Sequence, residues 1–185
     1  MVTVTADHLV RICGGYLRAA RAAEILPHLQ AAAAEAEIDT PDRAAMWLAQ
    51  LAHETGGFRY LEEIWGPTAA QLRYEPPSSL AARLGNTEPG DGYRYRGRGA
   101  IQLTGRANYA AAGADLDLPL LEQPDVGATL PVAFRTAAWY WRQHGLNALA
   151  DAADLDGATR AINGGLNGID HREELYDRAC DALGV

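Results

Sequence analysis

The chain has 185 residues, 48% hydrophobic and 22% charged, with a formal net charge of −8 at pH 7. That length buries one sizeable core and suggests a single domain spanning 1–185. The acidic balance disfavours wholesale attraction to phosphate backbones or anionic lipid, and no run approaches the roughly 18 apolar residues that a membrane-spanning helix needs.

From the N-terminus, MVTVTADHLVRIC has no basic lead followed by an apolar core, so no signal peptide is expected. Cys13 and Cys180 lie near opposite ends and read as buried, reduced thiols rather than a disulfide framework or a zinc site. Alanine-rich helical segments are expected at about 5–13, 17–37, 42–54, 68–75, 78–84, 105–112, 131–144, 146–153, 156–163 and 171–183. Their stops are Gly14, Gly85, Gly113, Gly145 and Gly164. Caps are written at Thr40-Pro41, at Thr68 with Gln71, and at Asp170 with Glu173. Strand signal is confined to Phe58–Ile64 and to the glycine-spaced Tyr93–Leu103, which predicts a mainly α fold with at most a small β-hairpin. The Pro/Gly-rich stretch Glu75–Gly92 reads as a loop joining two lobes, with a smaller lobe at about 66–92.

Chemistry concentrates after the third helix. His53-Glu54 begins like the zinc signature of a helical metallopeptidase, but the second histidine would fall on Gly57, so no metal site is expected. Ala44, Trp47, Leu48 and Leu51 recur at helical spacing, and Glu54 is the next position on that stripe. Partial burial and the negative end of the helix dipole both disfavour an ionised carboxylate there, the direction a general acid near neutral pH needs. The plain alternative is a solvent-facing glutamate at a frayed helix end. Glu62 and Glu63 follow, and in an extended segment they point to opposite sides. Paired carboxyls of this kind suit glycoside hydrolysis. Tyr60, Trp65, Tyr74, Tyr93 and Tyr95 offer faces for sugar stacking, with core packing as the alternative. The run Tyr93-Arg94-Tyr95-Arg96-Gly97-Arg98 interleaves aromatics and cations as single-strand binders do, yet it is one short run in an acidic chain. Nucleic acid is not an expected partner, and the C-terminal helix has no cationic face for stable membrane association.

The segments AHETGGF, then Glu63, then YRGRGAIQLTGRANY, INGG and HREELYDRACDALGV together resemble the catalytic domain of glycoside hydrolase family 19, shared by plant chitinases and many phage endolysins. With PDRAAMWLAQLAHETGGF close to the start and no appended wall-binding module, the chain is most similar to compact endolysins of phages that infect Gram-negative hosts. The resemblance implies a lysozyme-like, two-lobed helical fold with a cleft between the lobes, and an inverting mechanism without cofactors. Glu54 matches the general acid and Glu63 the general base; Thr104 matches the residue that holds the attacking water. Gln102, Asn108 and Asn163 match sugar-binding positions, Arg172 matches a cleft arginine beside the acid/base network, and Tyr95 is the candidate stacking face. Ala107 stands where many chitinases carry a tyrosine. The expected activity is therefore that of a muramidase-type endolysin cutting the β-1,4 bonds of peptidoglycan, with chitin as the alternative. It would act as a monomer made in the host cytoplasm and released to the periplasm and wall through a separate holin-type pore. Without the resemblance, Gln102, Thr104 and Asn108 read as a polar loop with a helix cap at Thr104, and Asn163-Gly164 as a left-handed helix stop.

Overall fold

The computed structural model describes residues 3–185. Among these, eleven α-helices follow in order: α1 (Ala6–Ile12), α2 (Ala19–Glu35), α3 (Pro41–Glu54), α4 (Ala69–Leu72), α5 (Ser79–Leu84), α6 (Asp91–Arg94), α7 (Arg106–Leu116), α8 (Leu130–Gln143), α9 (Leu146–Asp151), α10 (Leu155–Asn163) and α11 (Ile169–Leu183). A 3₁₀ turn, Pro124–Ala128, precedes α8. The mainly α expectation holds, and the hairpin reduces to the isolated bridges Glu62↔Arg98 and Arg98↔Leu103. Among the described residues no helix is long and apolar enough to cross a membrane.

The chain divides into two compact units, one formed by the residues up to Tyr60 together with Ala138–Val185, the other by Leu61–Ala137. The Glu75–Gly92 stretch expected to join lobes therefore lies inside the second unit, where it contains α5, and the unit is wider than the 66–92 lobe.

Unit 1 is organised around α3. Thr40 caps it by accepting the Arg43 N–H at 3.2 Å, and Pro41 takes the first turn, where its missing N–H costs nothing. Every residue from Ala44 to Ala52 is buried, so the helix is enclosed on all sides rather than striped. It packs mainly against α11, and also against α9 and α1. Trp47 meets Trp141 edge-on, with ring centroids 5.1 Å apart. Fully burying an apolar side chain contributes about 1.5–3 kcal/mol, so α3 is the main apolar anchor of this unit. Cys13 is buried and free, its thiol pushed up to about 12 by burial against the opposing charge of Arg178; Cys180 is also free but only half-buried.

Unit 2 has a polar centre. Arg98 is 1% exposed. Its guanidinium donates to Glu62 Oε1 at 2.8 Å, the Arg94 carbonyl at 2.8 Å, Tyr109 Oη at 3.2 Å and Asp125 Oδ1 at 2.5 Å. Such a cation is tolerated because its donors are matched. A second pair, Asp91–Arg106, is bidentate at 2.8 and 2.6 Å, and Asp91 also accepts the Thr87 and Glu88 N–H groups. Burial raises the Asp91 carboxyl, but Arg106 and those two amides outweigh it and hold it below the usual carboxylate range.

Three local expectations change. Gly113 does not end α7, which runs on to Leu116 and stops at Asp117 with φ +53°. A side chain at Gly113 would approach the Leu118 carbonyl at 2.9 Å, so this glycine serves a close approach inside the helix. The last helix begins at Ile169 after Gly168, without a side-chain cap from Asp170. Helix α6 was not anticipated; it starts after Gly90 and carries Asp91 into its ion pair.

Candidate active site

In unit 1, α3 delivers Glu54 at its last turn, just before Gly56 and Gly57, both at positive φ. The carboxylate is 18% exposed, and Arg172, 1% exposed on α11, donates to its Oε1. The other terminal nitrogen of Arg172 donates to Gln50 Oε1, and Gln50 Nε2 donates to Thr159 Oγ1 at 3.2 Å. A buried polar chain thus runs from α10 through Gln50 and Arg172 to Glu54. Beside it, His53 Nδ1 and His171 Nδ1 lie 3.0 Å apart. Burial, the Arg172 charge and His171 together push His53 down to about 4, so it stands neutral at physiological pH. Asn163, last residue of α10, is exposed and donates to the Asn167 carbonyl at 3.1 Å; Gly164 ends that helix at φ +75°, as its sequence suggests.

In unit 2, Glu62 and Glu63 do point apart. Glu62 is taken by Arg98 and by Arg96 at 2.6 Å. Among the described residues Glu63 accepts only neutral donors, Gln71 Nε2 at 2.9 Å and the Gly97 N–H at 3.1 Å, while its own N–H donates to the Gly97 carbonyl. Gly97 is the pivot: a Cβ there would collide with Gln102 Oε1 and come 3.3 Å from Thr104 Oγ1. The missing side chain lets Glu63, Gln102 and Thr104 converge. Gln102 adopts φ +49°, a left-handed conformation costing a non-glycine residue about 1 kcal/mol or more. Thr104 is no helix cap; its hydroxyl donates to the Gln102 carbonyl at 2.9 Å, and its carbonyl accepts Asn108 Nδ2 at 2.7 Å. Trp65 sits 6.2 Å from Tyr74 and 5.5 Å from Tyr93, and the Glu63 charge, after burial, raises the Tyr74 hydroxyl.

Tyr95 is a correction. It is 1% exposed, donates to the Leu121 carbonyl at 3.1 Å and packs between Arg94, Arg106 and Tyr109, so its ring is core and offers no sugar face. The surrounding arginines are equally committed: Arg98 is buried, Arg96 pairs with Glu62, and Arg94 donates to the Leu121 and Glu122 carbonyls. Arg172 is likewise internal, bonded to Glu54 and Gln50.

Residues 15–153 match the family model for glycoside hydrolase family 19, described as chitinase class I. The chain belongs to glycoside hydrolase family 19. A Haemophilus influenzae family 19 domain-containing protein is 39% identical over 155 residues, covering 71% of this chain and 76% of that protein. An Arabidopsis thaliana endochitinase is 41% identical over 148 residues, covering 76% of this chain but only 48% of its own length. The chain therefore spans about half the length of that plant relative. Chitinase C of Streptomyces griseus superposes over 98% of this chain and 77% of its own, with a TM-score of 0.72 at 26% identity. The protein is thus a glycoside hydrolase with the helical, lysozyme-like family 19 fold.

Sequence reasoning missed Gln50 and Gln71. Gln50 had a signal, a lone amide inside nine buried positions of α3. Gln71 reads only as half of a capping box, which does form, yet its amide nitrogen also donates to Glu63 and to the Ile64 carbonyl. Glu62→Gln should cost about 2 kcal/mol, a fall in Tm of about 4–8 °C, because it strips the counter-charge from two arginines. Glu63→Gln should leave Tm within a few degrees but lower kcat by about 10²-fold or more. Melting curves and turnover on the same preparations check this, and the reverse ranking would move the base to Glu62.

Proposed function

We propose that this chain hydrolyses β-1,4 bonds between N-acetylhexosamine units by an inverting acid/base mechanism, with N-acetylglucosamine polymers of the chitin type as first substrate. The observation that supports the reading is that the two carboxylates at the family's acid and base positions both have ordered partners, Glu54 with Arg172 and Glu63 with Gln71 and the Gly97 N–H; which of them is acid and which base is taken from the family motif. In this mechanism Glu54 protonates the glycosidic oxygen as the bond breaks, and Arg172 stabilises the carboxylate left behind. Glu63 takes a proton from a water whose oxygen attacks the anomeric carbon from the opposite face. Thr104 holds that water, and Gln102, Asn108 and Asn163 bind the sugars.

Chitin leads because relatives similar over most of this chain carry the names endochitinase and chitinase. Peptidoglycan, the substrate expected from the compact endolysins, is the second reading together with its route of release, and an exposed groove that pairs cations with aromatic rings favours it. The test is to incubate the protein with chitin oligosaccharides and, separately, with peptidoglycan, label new reducing ends for mass spectrometry, and follow the first product by NMR. N-acetylglucosamine ends in the α configuration are expected. N-acetylmuramic acid ends alone would promote the second reading, a β product would overturn inversion, and silence on both substrates would overturn the hydrolase assignment for this chain.

A further inference from the structure

The groove of about 360 Å³ is lined by Tyr16, Leu17, Arg18, Arg21, Arg59 and Tyr60, all within unit 1. Tyr16 to Arg18 come from the link between α1 and α2, while Arg59 and Tyr60 follow the turn that ends α3, so this wall begins five residues beyond Glu54. Tyr16 is 70% exposed and Tyr60 44% exposed. The glycine turn lies against both tyrosines. A Cβ at Gly56 would press on Tyr60 Cδ2 at 3.2 Å, and one at Gly57 would come 3.5 Å from Tyr16 Cβ. The Arg59 guanidinium lies over the Tyr60 ring, 5.2 Å from its centroid, and donates to the Tyr60 hydroxyl at 3.2 Å. Arg21 pairs with Glu24 at 2.8 Å, whereas Arg18 and Arg59 pair with no carboxylate among the described residues.

In a chain of 24 acidic and 16 basic residues, two guanidiniums without carboxylates beside two exposed rings are a local reversal of charge. A guanidinium's planar fork matches a carboxylate. A tyrosine ring presents an apolar face with a polar tip, which suits the amphipathic face of a sugar. We infer that this groove docks a carboxylate-bearing aminoglycan strand, its rings carrying sugar and Arg18 and Arg59 holding lactyl or peptide carboxylates. The inference rests on the glycan-hydrolase reading and sides with its second substrate, peptidoglycan, over its first, since a neutral N-acetylglucosamine polymer gives the two arginines nothing to pair with.

Binding is measured at low salt in the Glu54→Gln background, so that strands stay intact, with two probes: soluble peptidoglycan strands that keep their peptides, and chitohexaose. The peptide-bearing strand should bind at least about tenfold tighter, and adding Arg18→Glu and Arg59→Glu should erase that preference. Both arginines are exposed, so the charge reversal leaves the core intact. Equal binding of the two glycans, a preference that survives the reversal, or equally tight binding of polyglutamate or single-stranded DNA would each overturn the inference. Turnover by the unsubstituted protein is measured separately. If it cleaves neither glycan, the hydrolase reading fails while the groove is still judged by binding alone.

Discussion

Glu54→Gln is expected to lower kcat by about 10²–10⁴-fold while KM stays close to that of the unsubstituted protein. The substitution removes the transferable proton and keeps the shape. A glutamine still offers an oxygen to Arg172, so an ion pair becomes a hydrogen bond from the cation to a neutral amide oxygen, at a cost of about 1 kcal/mol. In a chain of 185 residues that is a fall in Tm of about 2–4 °C. Steady-state kinetics on a chitin oligosaccharide and a melting curve of the same sample are sufficient. Retention of most activity would show that Glu54 is not the acid, and loss of activity through a collapse of Tm would assign it a structural role instead.

Arg172→Met should be strongly destabilising in unit 1. Methionine fills similar space but leaves Glu54 Oε1 and Gln50 Oε1 without their donor. Breaking a buried pair by removing one member costs about 3–5 kcal/mol, and the 18% exposure of Glu54 places this case at the lower end. A loss of about 3 kcal/mol corresponds to a fall of about 6–12 °C in Tm. A second readout separates electrostatics from packing. His53 is held down to about 4 first by burial and then by the Arg172 charge, so its ring should titrate higher in the variant, as followed by NMR. An unchanged His53 titration would show that the guanidinium charge does not reach the histidine. The variant is also expected to lose kcat, because the carboxylate formed on Glu54 would have no cation beside it.

Much of this was written locally. The start of α3 could be read from Thr40-Pro41, its end from Gly56-Gly57, and the opposite facing of Glu62 and Glu63 from the period of an extended segment. The spaced blocks HETGGF, GRGAIQLT and NGG carried the family. Other features were not legible from neighbours. The Tyr93–Arg98 run has one sequence signature for two opposite arrangements, a surface that stacks ligands and a core in which cations pack on rings. Unit 2 chose the second, burying Tyr95 and Arg98. Asp170 had the residue type and spacing of a cap, but the chain was already turned by Gly168 at φ +74°.

What the sequence determined by itself are properties settled within a turn or two: most of the helical segments, the caps at Thr40 and Thr68, the stops at Gly85 and Gly164, and on which helix end Glu54 sits. Caps, turns and periodicity act between residues at most about four apart. The environments of the candidate groups were decided only by the tertiary structure. Glu54 meets Arg172 across 118 positions, and Gln50 meets Thr159 across 109. Glu63, Gln102 and Thr104 converge only because Gly97 folds back between them. The reason is physical. A polar side chain can be buried only where packing supplies a partner, and for Glu54 that partner arrives on a helix more than 110 residues away.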